Sequence, residues 1–360
     1  MEANNLKPSS YIFFRKHLRQ DVLDTMGKLW GIYKPLTHNP SPNPVSLTLN
    51  DLKRITEHEY VVAKKTDGIR YNLVLGKHVE SGRPFAAMVD RALCVYQIEI
   101  FAPKIYFEGS LFDGELVWNK HQHCFNYFVF DVISVAKDEI GKKTLLTRYE
   151  VINKLFMQEG DWDKTKLTDK PLEVAKRLSG GNKIISVPDA NNMLFLYSKP
   201  CVKVEALASL HRSSTNHDND GYIFTPVNAP VYKNRHTSLF KWKFQPTIDV
   251  RYIRDGMKFS LSCMHEKSEF LLHERIPDWN FIFDEKEQAS IPESSNMILE
   301  LNLKINEQKK EIDCHVHRVR NDKNTPNDYR TIKGIIDEIC NSVSLEQLLA
   351  LGTRKRKITD

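Results

Sequence analysis

Lys65-Thr66-Asp67-Gly68-Ile69-Arg70 stands between two runs that read as strands, Tyr60 to Ala63 and Tyr71 to Leu75. The stretch presents an amine, a carboxylate and a guanidinium around a tight turn, and its glycine accepts any backbone angle. Held at a strand end, the lysine is a candidate nucleophile or phosphate grip, with the arginine available for a phosphate or a ribose. Alone, such a turn is more often ordinary surface, so the rest of the chain has to decide.

Working outward, Phe85 to Val89 and Ala92 to Ile98 alternate like a hairpin that turns at Asp90-Arg91. Leu111 to Val117 reads as a strand interrupted by Asp113-Gly114-Glu115, and a glycine inside a strand marks a bulge or a close backbone approach. Cys124 to Val135 is apolar and aromatic enough for a buried central strand, with Asp131 an unusual resident at its end. Asp220-Gly221 precedes the apolar run Tyr222-Ile223-Phe224. In Leu239-Phe240-Lys241-Trp242-Lys243 the period of two puts both lysines on one strand face, where an anion held between them relieves their repulsion.

Helical spacing appears over Tyr11 to Trp30, Asn50 to Ile55, Leu145 to Gln158 and Val202 to Leu210. Prolines 35, 40, 42 and 44 make Lys34 to Pro44 a loop, the chain turns around Gly180-Gly181-Asn182, and His211 to Asn219 is loop-like. After Thr247 the texture changes to short strands at Val250–Ile253, Lys258–Met264, Asn280–Phe283, Met297–Ile305 and Ile312–Val319, which suggests a small β-barrel of the oligonucleotide-binding type. A closing helix carries Ile332, Ile335, Ile336 and Ile339 on one face, and Ser344 with Gln347 forms a capping-box pattern.

The totals bound the rest. At 360 residues the chain has room for two cores, and 27% charged with 41% hydrophobic residues is ordinary for a folded soluble protein. A formal charge of +6 allows a polyanionic partner without requiring one. Cysteines 94, 124, 201, 263, 314 and 340 form no Cys-x-x-Cys pair, so they read as thiols in a reducing compartment and not as a zinc cluster or a disulfide framework. No apolar run approaches the ~20 residues that span a bilayer, and Met1 to Lys7 lacks the order of a signal peptide, so the expectation is an intracellular, soluble protein without a membrane partner. Arg354-Lys355-Arg356-Lys357 reads either as a nuclear-import patch or as a solvated basic end.

Taken in order, KTDGIR (65–70), DGEL (113–116), FVFD (128–131), DGYIF (220–224), LFKWK (239–243) and RVRNDK (318–323) resemble the covalent nucleotidyltransferases, the superfamily of mRNA capping guanylyltransferases and nucleic-acid ligases. The likeness runs from about Pro44 to Thr331. Thr66 after the lysine, Pro44-Val45-Ser46-Leu47 ahead of it, Thr247-Ile248-Asp249 and Asp322-Lys323-Asn324-Thr325-Pro326-Asn327 look like the capping branch. One departure is Ile312-Asp313-Cys314-His315, where capping enzymes commonly carry an aromatic residue.

The resemblance implies an α+β fold: a nucleotidyltransferase domain of antiparallel sheets with flanking helices over 1–243, an OB-fold barrel over 244–331, and a helical segment with a basic tail over 332–360. It implies that Lys65 attacks the α-phosphate of GTP, expels pyrophosphate, holds GMP through a lysine–phosphorus bond and passes it to the 5′-diphosphate end of RNA. Free lysine has a pKa of ~10.4, so positive charge from Lys241, Lys243 and a bound Mg²⁺ or Mn²⁺ would activate the amine.

On the same basis Arg70 and Glu115 hold the ribose, and Arg91 is a further ribose or phosphate contact. Phe130 stacks on the purine, although from its strand alone it reads as core. Asp220 is the metal-associated acid, and Lys199 is a suggestion for reading the base. Arg320, Asp322 and Lys323 grip the β- and γ-phosphates, with Arg318 as support and Phe244 to Pro246 as the hinge of a closure. The rivals are an ATP-dependent RNA or DNA ligase, told apart by base choice, and a silent single-strand binder, against which the retained lysines argue. An RNA triphosphatase and RNA polymerase are possible partners by the same resemblance. It leaves the place of action as the nucleus for a cellular protein and the cytoplasm for one from a large DNA virus.

Overall fold

Strands that are apolar at consecutive positions have to be covered on both faces, because successive side chains point to opposite sides. The computed structural model describes residues 16–159, 182–186, 194–255, 258–283, 285–291, 296–321 and 323–356. The chain divides into two compact units, one of Met1–Val45, Arg54–Lys241 and Leu349–Asp360, the other of Ser46–Lys53 and Trp242–Leu348. The described architecture is mixed α+β.

In chain order the strands of the first part are β1 (Asn43–Ser46), β2 (Tyr60–Thr66), β3 (Ile69–Lys77), β4 (Pro84–Val89), β5 (Val95–Gln97), β6 (Ile100–Phe101) and β7 (Ser110–Asn119). They continue as β8 (Cys124–Ser134), β9 (Ile185–Ser186), β10 (Leu194–Ser198), β11 (Val202–Lys203), β12 (Asn219–Pro226) and β13 (Arg235–Lys243). One sheet has the order β1-β13-β12-β2-β11, another β10-β8-β7-β3-β4-β5, and β6 pairs with β9.

The second of these sheets shows the two-faced covering. Val22, Met26 and Trp30, from and just after the helix Lys16–Leu29, pack with Val74, Phe85 and Leu111 on one side. On the other, Ile152 and Leu155 of the helix Leu145–Leu155 pack with Leu73, Leu75, Phe112 and Leu116. Alternate residues from Leu73 to Leu75 of β3 thus enter different cores, which is why that stretch of the strand is apolar on both faces.

Register irregularities place the side chains that matter below. Between β2 and β12 the pairs Asn219↔Thr66 and Gly221↔Lys65 leave Asp220 as the extra residue of a bulge, with Gly221 at φ 155°. Between β7 and β8 the pairs Asp113↔Asp131 and Gly114↔Val129 leave Phe130 as the extra residue. Bulges re-aim a side chain out of the regular alternation.

Gly114 is there for room. A Cβ would lie 2.5 Å from the Tyr127 ring and 2.6 Å from the Phe128 carbonyl oxygen. The same holds for Gly68, whose Cβ would run into the Leu116 carbonyl oxygen. Its φ is not positive, so closeness to β7, and not an unusual backbone angle, requires the glycine of the opening stretch.

The second part holds β14 (Thr247–Asp255), β15 (Lys258–His265), β16 (Ser268–Leu271), β17 (Asn280–Phe283), β18 (Asn296–Asn306) and β19 (Glu311–Val319). They form one curled sheet in the order β16-β15-β14-β18-β19-β17, a half-barrel that fits the OB type. Its core joins Ile248, Val250, Leu299 and Ile312 to Ile332 and Ile336 of the helix Tyr329–Cys340, so that helix packs into this core. Ile312 and Cys314, within the stretch where an aromatic is common in capping enzymes, are fully buried there. Ser344 and Gln347 form the expected capping box: the Ser344 amide donates to Gln347 Oε1 and the Gln347 amide to Ser344 Oγ.

Several expectations change. Val202–Leu210 is not one helix: β11 pairs with Val61 and Val62 of β2, a 3₁₀ turn Val204–Ala206 follows, and the helix is Leu207–Arg212. Sheet pairing overrides the helical spacing there, and the presumed loop from His211 is shortened accordingly. The helix after Thr144 stops at Leu155, because Phe156 adopts extended angles. The strand β16 and the short helices Leu272–Arg275 and Glu285–Ser290 had no signal that was read. The turn expected at Gly180-Gly181 lies outside the described residues. No disulfide joins the six cysteines. Among the described residues no helix is long and apolar enough to cross a membrane.

Two glycines respond oppositely to alanine. Gly114→Ala forces a methyl against Tyr127 and β8 and should lower stability by about 1–3 kcal/mol. Gly334, inside the helix Tyr329–Cys340 with nothing within 4 Å of its Cβ position, should gain about 0.5–1 kcal/mol as alanine. Thermal denaturation of both variants checks the pair.

Candidate active site

β2 runs on through Lys65 to Thr66 and β3 resumes at Ile69, so Lys65 is a strand residue and only Asp67-Gly68 forms the turn. Lys65 lies on the same strand face as Ala63, and both line a cleft of about 440 Å³. Lys65 Nζ donates to both Asp220 oxygens at 2.8 and 2.9 Å. The β12 bulge is what turns Asp220 toward it. Arg70, Arg91, Glu115 and Phe130 line the same cleft.

Each wall residue has a fixed position. Arg70 is held bidentately by the buried Asp113, with Nε to Oδ1 at 2.8 Å and Nη2 to Oδ2, and also donates to the Pro42 carbonyl. Burial disfavours its charge, and Asp113 more than restores it, so its pKa is raised. The guanidinium sits 5.5 Å from the Phe130 ring centroid. Phe130 is half-buried, while Phe128 on the same strand belongs to a core cluster. Arg91 is exposed and donates to Asn43 Oδ1 at 3.2 Å. Asp131, the unexpected acid, pairs with the buried Arg148 through Nε–Oδ1 at 2.7 Å and Nη2–Oδ2 at 3.1 Å. Arg148 also donates to the carbonyls of Lys143 and Ala229, so its charge is well satisfied.

A second lysine enters the cleft. Lys199, 7% exposed, donates to Thr66 Oγ1 at 2.6 Å and lies 3.8 Å from Glu115 Oε2; Thr66 in turn donates to Glu115. Burial, only partly offset by Glu115, lowers its pKa to about 8. Lys64 also faces the cleft, with its pKa lowered by burial, and donates to the Ser213 carbonyl.

Lys241 and Lys243 alternate with buried Phe240 and Trp242 and share a strand face with Leu239, a cleft residue. Neither lysine is part of the cleft wall. In the second unit, Arg320 donates to Asp249 at 2.9 Å and to Glu300 at 3.4 Å, and Lys323 donates to Asp249. Arg318 shares Glu300 at 2.7 Å, which fits a supporting role. Burial pushes Glu300 up, but hydrogen bonds from Thr247 and Arg318 and the arginine charges outweigh it and leave its pKa lowered. Asp322 lies outside the described residues.

A cleft of nucleotide size with an amine, an acid, an aromatic ring and guanidinium groups fits a nucleotidyltransferase, and comparison with known proteins agrees. The family model for the mRNA capping enzyme catalytic domain matches residues 15–245, and that for the mRNA capping enzyme C-terminal domain matches 227–349. The chain belongs to the mRNA capping enzyme family. It is accordingly a nucleotidyltransferase, an mRNA guanylyltransferase, with GTP and an RNA 5′ end as substrates. It is 26% identical over 86% of its length to the mRNA-capping enzyme subunit alpha of Schizosaccharomyces pombe, covering 79% of that protein. It is 24% identical, also over 86% of its length, to the mRNA-capping enzyme of Caenorhabditis elegans, about half of whose length (48%) it spans. Among solved structures, a mycobacterial DNA ligase D complexed with ATP and MES gives a TM-score of 0.39 at 11% identity, over 79% of this chain and 94% of that one.

Of the residues expected from sequence, the cleft brings together Lys65, Arg70, Arg91, Glu115 and Phe130, with Asp220 on the Lys65 amine. The structural partners Asp113 and Arg148, and the roles of Asp131 and Thr66, were missed. Asp113, Asp131 and Thr66 showed only as charged or polar residues in otherwise apolar or buried strands, and Arg148 only as a cation in a helix. Lys199 is in the cleft as suggested.

Two measurements follow. Asp131→Asn leaves the Arg148 charge without its carboxylate and should cost about 3 kcal/mol in a denaturant titration. Lys199 has its folded-state pKa lowered from 10.5 to about 8. The unfolded chain therefore binds more protons between those values, and stability rises with pH across that window. Lys199→Met should remove that rise.

Proposed function

We propose that Lys65 is the covalent nucleophile of this guanylyltransferase. The observation that carries the reading is a lysine amine opening onto the nucleotide cleft with a single carboxylate, Asp220, at 2.8 Å. The unprotonated amine attacks the α-phosphorus of GTP; a nitrogen–phosphorus bond forms and the bond to pyrophosphate breaks. A terminal phosphate oxygen of a 5′-diphosphate RNA then attacks the same phosphorus, the nitrogen–phosphorus bond breaks, and Lys65 recovers its amine. Phe130 gives the purine a ring to stack on, and Glu115 accepts from ribose hydroxyls. Arg320 and Lys323 bind the leaving phosphates, exchanging Asp249 and Glu300 for phosphate oxygens, and Asp322 belongs to the same stretch.

Base choice rests on Lys199. An ammonium only donates, so it suits the carbonyl at position 6 of guanine and opposes the amino group of adenine. This argues for GTP and against the ligase alternative. Asp220, beside the Lys65 amine, would hold Mg²⁺ or Mn²⁺ together with substrate phosphates and water, since Mg²⁺ takes one or two carboxylates in such sites. When bound, such an ion supplies positive charge that offsets the phosphates. The acceptor chemistry requires removal of the γ-phosphate from nascent RNA, which a partner RNA triphosphatase would supply, near RNA polymerase. The reading goes with action in the nucleus of a cell, or in the cytoplasm for a large DNA virus that transcribes there.

The test is to incubate the protein with α-phosphate-labelled GTP or ATP and a divalent cation, then denature it. Label from GTP alone, abolished by Lys65→Ala, is expected; equal label from ATP would overturn the base assignment, and label surviving Lys65→Ala would overturn the nucleophile. Raising the pH through about 8 titrates Lys199 and should raise the KM for GTP. Lys199→Met should start with the higher KM and show no such step.

A further inference from the structure

Transfer needs an acceptor site beside the cleft, and nothing described so far supplies one. A second cavity of about 350 Å³ shares Arg70 and Arg91 with the nucleotide cleft, and its wall includes His38, Asn43 and Asn234 but no carboxylate. Its geometry is fixed by backbone bonds: the Asn43 amide donates to the Asn234 carbonyl at 2.6 Å and the Asn234 amide to the Pro40 carbonyl at 2.8 Å. Asn234 has φ 61°, a left-handed angle that asparagine tolerates better than most residues. Its Oδ1 meets His38 Nε2 at 3.0 Å, and Asn43 Oδ1 accepts from Arg91. Among the described residues no hydrogen bond engages the Nδ2 group of either asparagine, so both donors, with the rest of the Arg91 guanidinium, are left to the cavity.

The chain around this cavity has the same character. Between Asp24 and Asp51 there is no acidic residue, nor between Asp220 and Asp249. These two acid-free stretches meet at the cavity. Tyr33 is 88% exposed and Tyr232 50% exposed, and exposed Lys34, Lys233 and Arg235 flank them. Gly31, at the start of the first segment, has Lys233 Nζ 3.9 Å from its Cβ position, so the two segments lie side by side. Solvated tyrosines interleaved with cations and no acid suit a single-stranded nucleic acid, whose bases stack on rings while its phosphates meet the charges.

We propose that this surface binds the acceptor RNA, with the 5′-diphosphate end in the His38–Asn43–Asn234 cavity and the following nucleotides over Tyr33 and Tyr232. The inference rests on the guanylyltransferase reading only for the identity of the strand. The site reaches the nucleotide cleft through Arg91, as an acceptor that attacks the Lys65-bound phosphorus must.

The experiment uses the full chain with two variants, Tyr33→Ala, which removes a ring that packs on almost nothing, and Asn234→Asp, which keeps size and backbone preference but turns a donor into an anion. Binding of fluorescent oligoribonucleotides with a 5′-diphosphate or a 5′-hydroxyl is followed by anisotropy, and label uptake from GTP is followed separately. Each variant should weaken the diphosphate oligonucleotide at least about fivefold and take up label from GTP within about twofold of the parent. Asn234→Asp should lose more on the diphosphate end than on the hydroxyl end. Parental affinity in both variants would overturn the surface, and equal losses on both ends in Asn234→Asp would overturn the end assignment. A parent that binds the oligonucleotides but takes no label from GTP would sink the guanylyltransferase reading and leave this surface standing.

Discussion

The pairing of β2 with β12, and the bulge inside it, is the constraint on which the site depends. In regular antiparallel register, neighbouring residues of a strand point to opposite faces, so a continuous ladder would not leave Asp220 as an extra residue opposite Lys65. The extra residue between Asn219 and Gly221 breaks the alternation and brings the carboxylate to 2.8 Å from the amine. The same device places Phe130, the extra residue of β8 opposite Asp113 and Gly114. Bulges cost ladder hydrogen bonds, and here both fall where a side chain has to serve the cleft.

Around that constraint the cleft sorts its charges by burial. Lys199 and Lys64 have their pKa values lowered by desolvation, Lys199 to about 8. A lowered pKa by itself favours Lys199 as a nucleophile at neutral pH. Geometry argues otherwise: its amine is bound to Thr66 beside Glu115, deep in the wall, whereas Lys65 is 23% exposed and faces the Asp220 carboxylate. Proximity to the reacting phosphorus outweighs a favourable pKa, because positioning contributes more to rate than a modest change in basicity. The buried pairs Arg70–Asp113 and Arg148–Asp131 hold the wall in place.

Much of this was legible in the chain. The strands around Lys65, the closing helix with Ile332 and Ile336 inward, and the Ser344–Gln347 capping box follow from period and spacing. Gly68 was read correctly as necessary but for a different reason, since the requirement is space against β7 and not backbone angle. The segment from Val202 misled because its helical spacing is local, while its pairing with Val61 and Val62 is not. The Asp131–Arg148 pair was illegible for the same reason: an acid in an apolar strand announces a partner without saying which of the chain's cations it is. Likewise, nothing in the order of residues shows that Arg320 and Lys323 are held by Asp249.

The account stands or falls on which lysine carries the nucleotide. The direct measurement is to trap the protein after reaction with GTP, digest it under alkaline conditions that preserve a nitrogen–phosphorus bond, and locate the guanylate by tandem mass spectrometry. The account predicts modification of the peptide containing Lys64 and Lys65, with fragment ions that assign it to Lys65. Guanylate on Lys199 or Lys64 would contradict it, and would mean that desolvation, and not placement beside Asp220, selects the nucleophile.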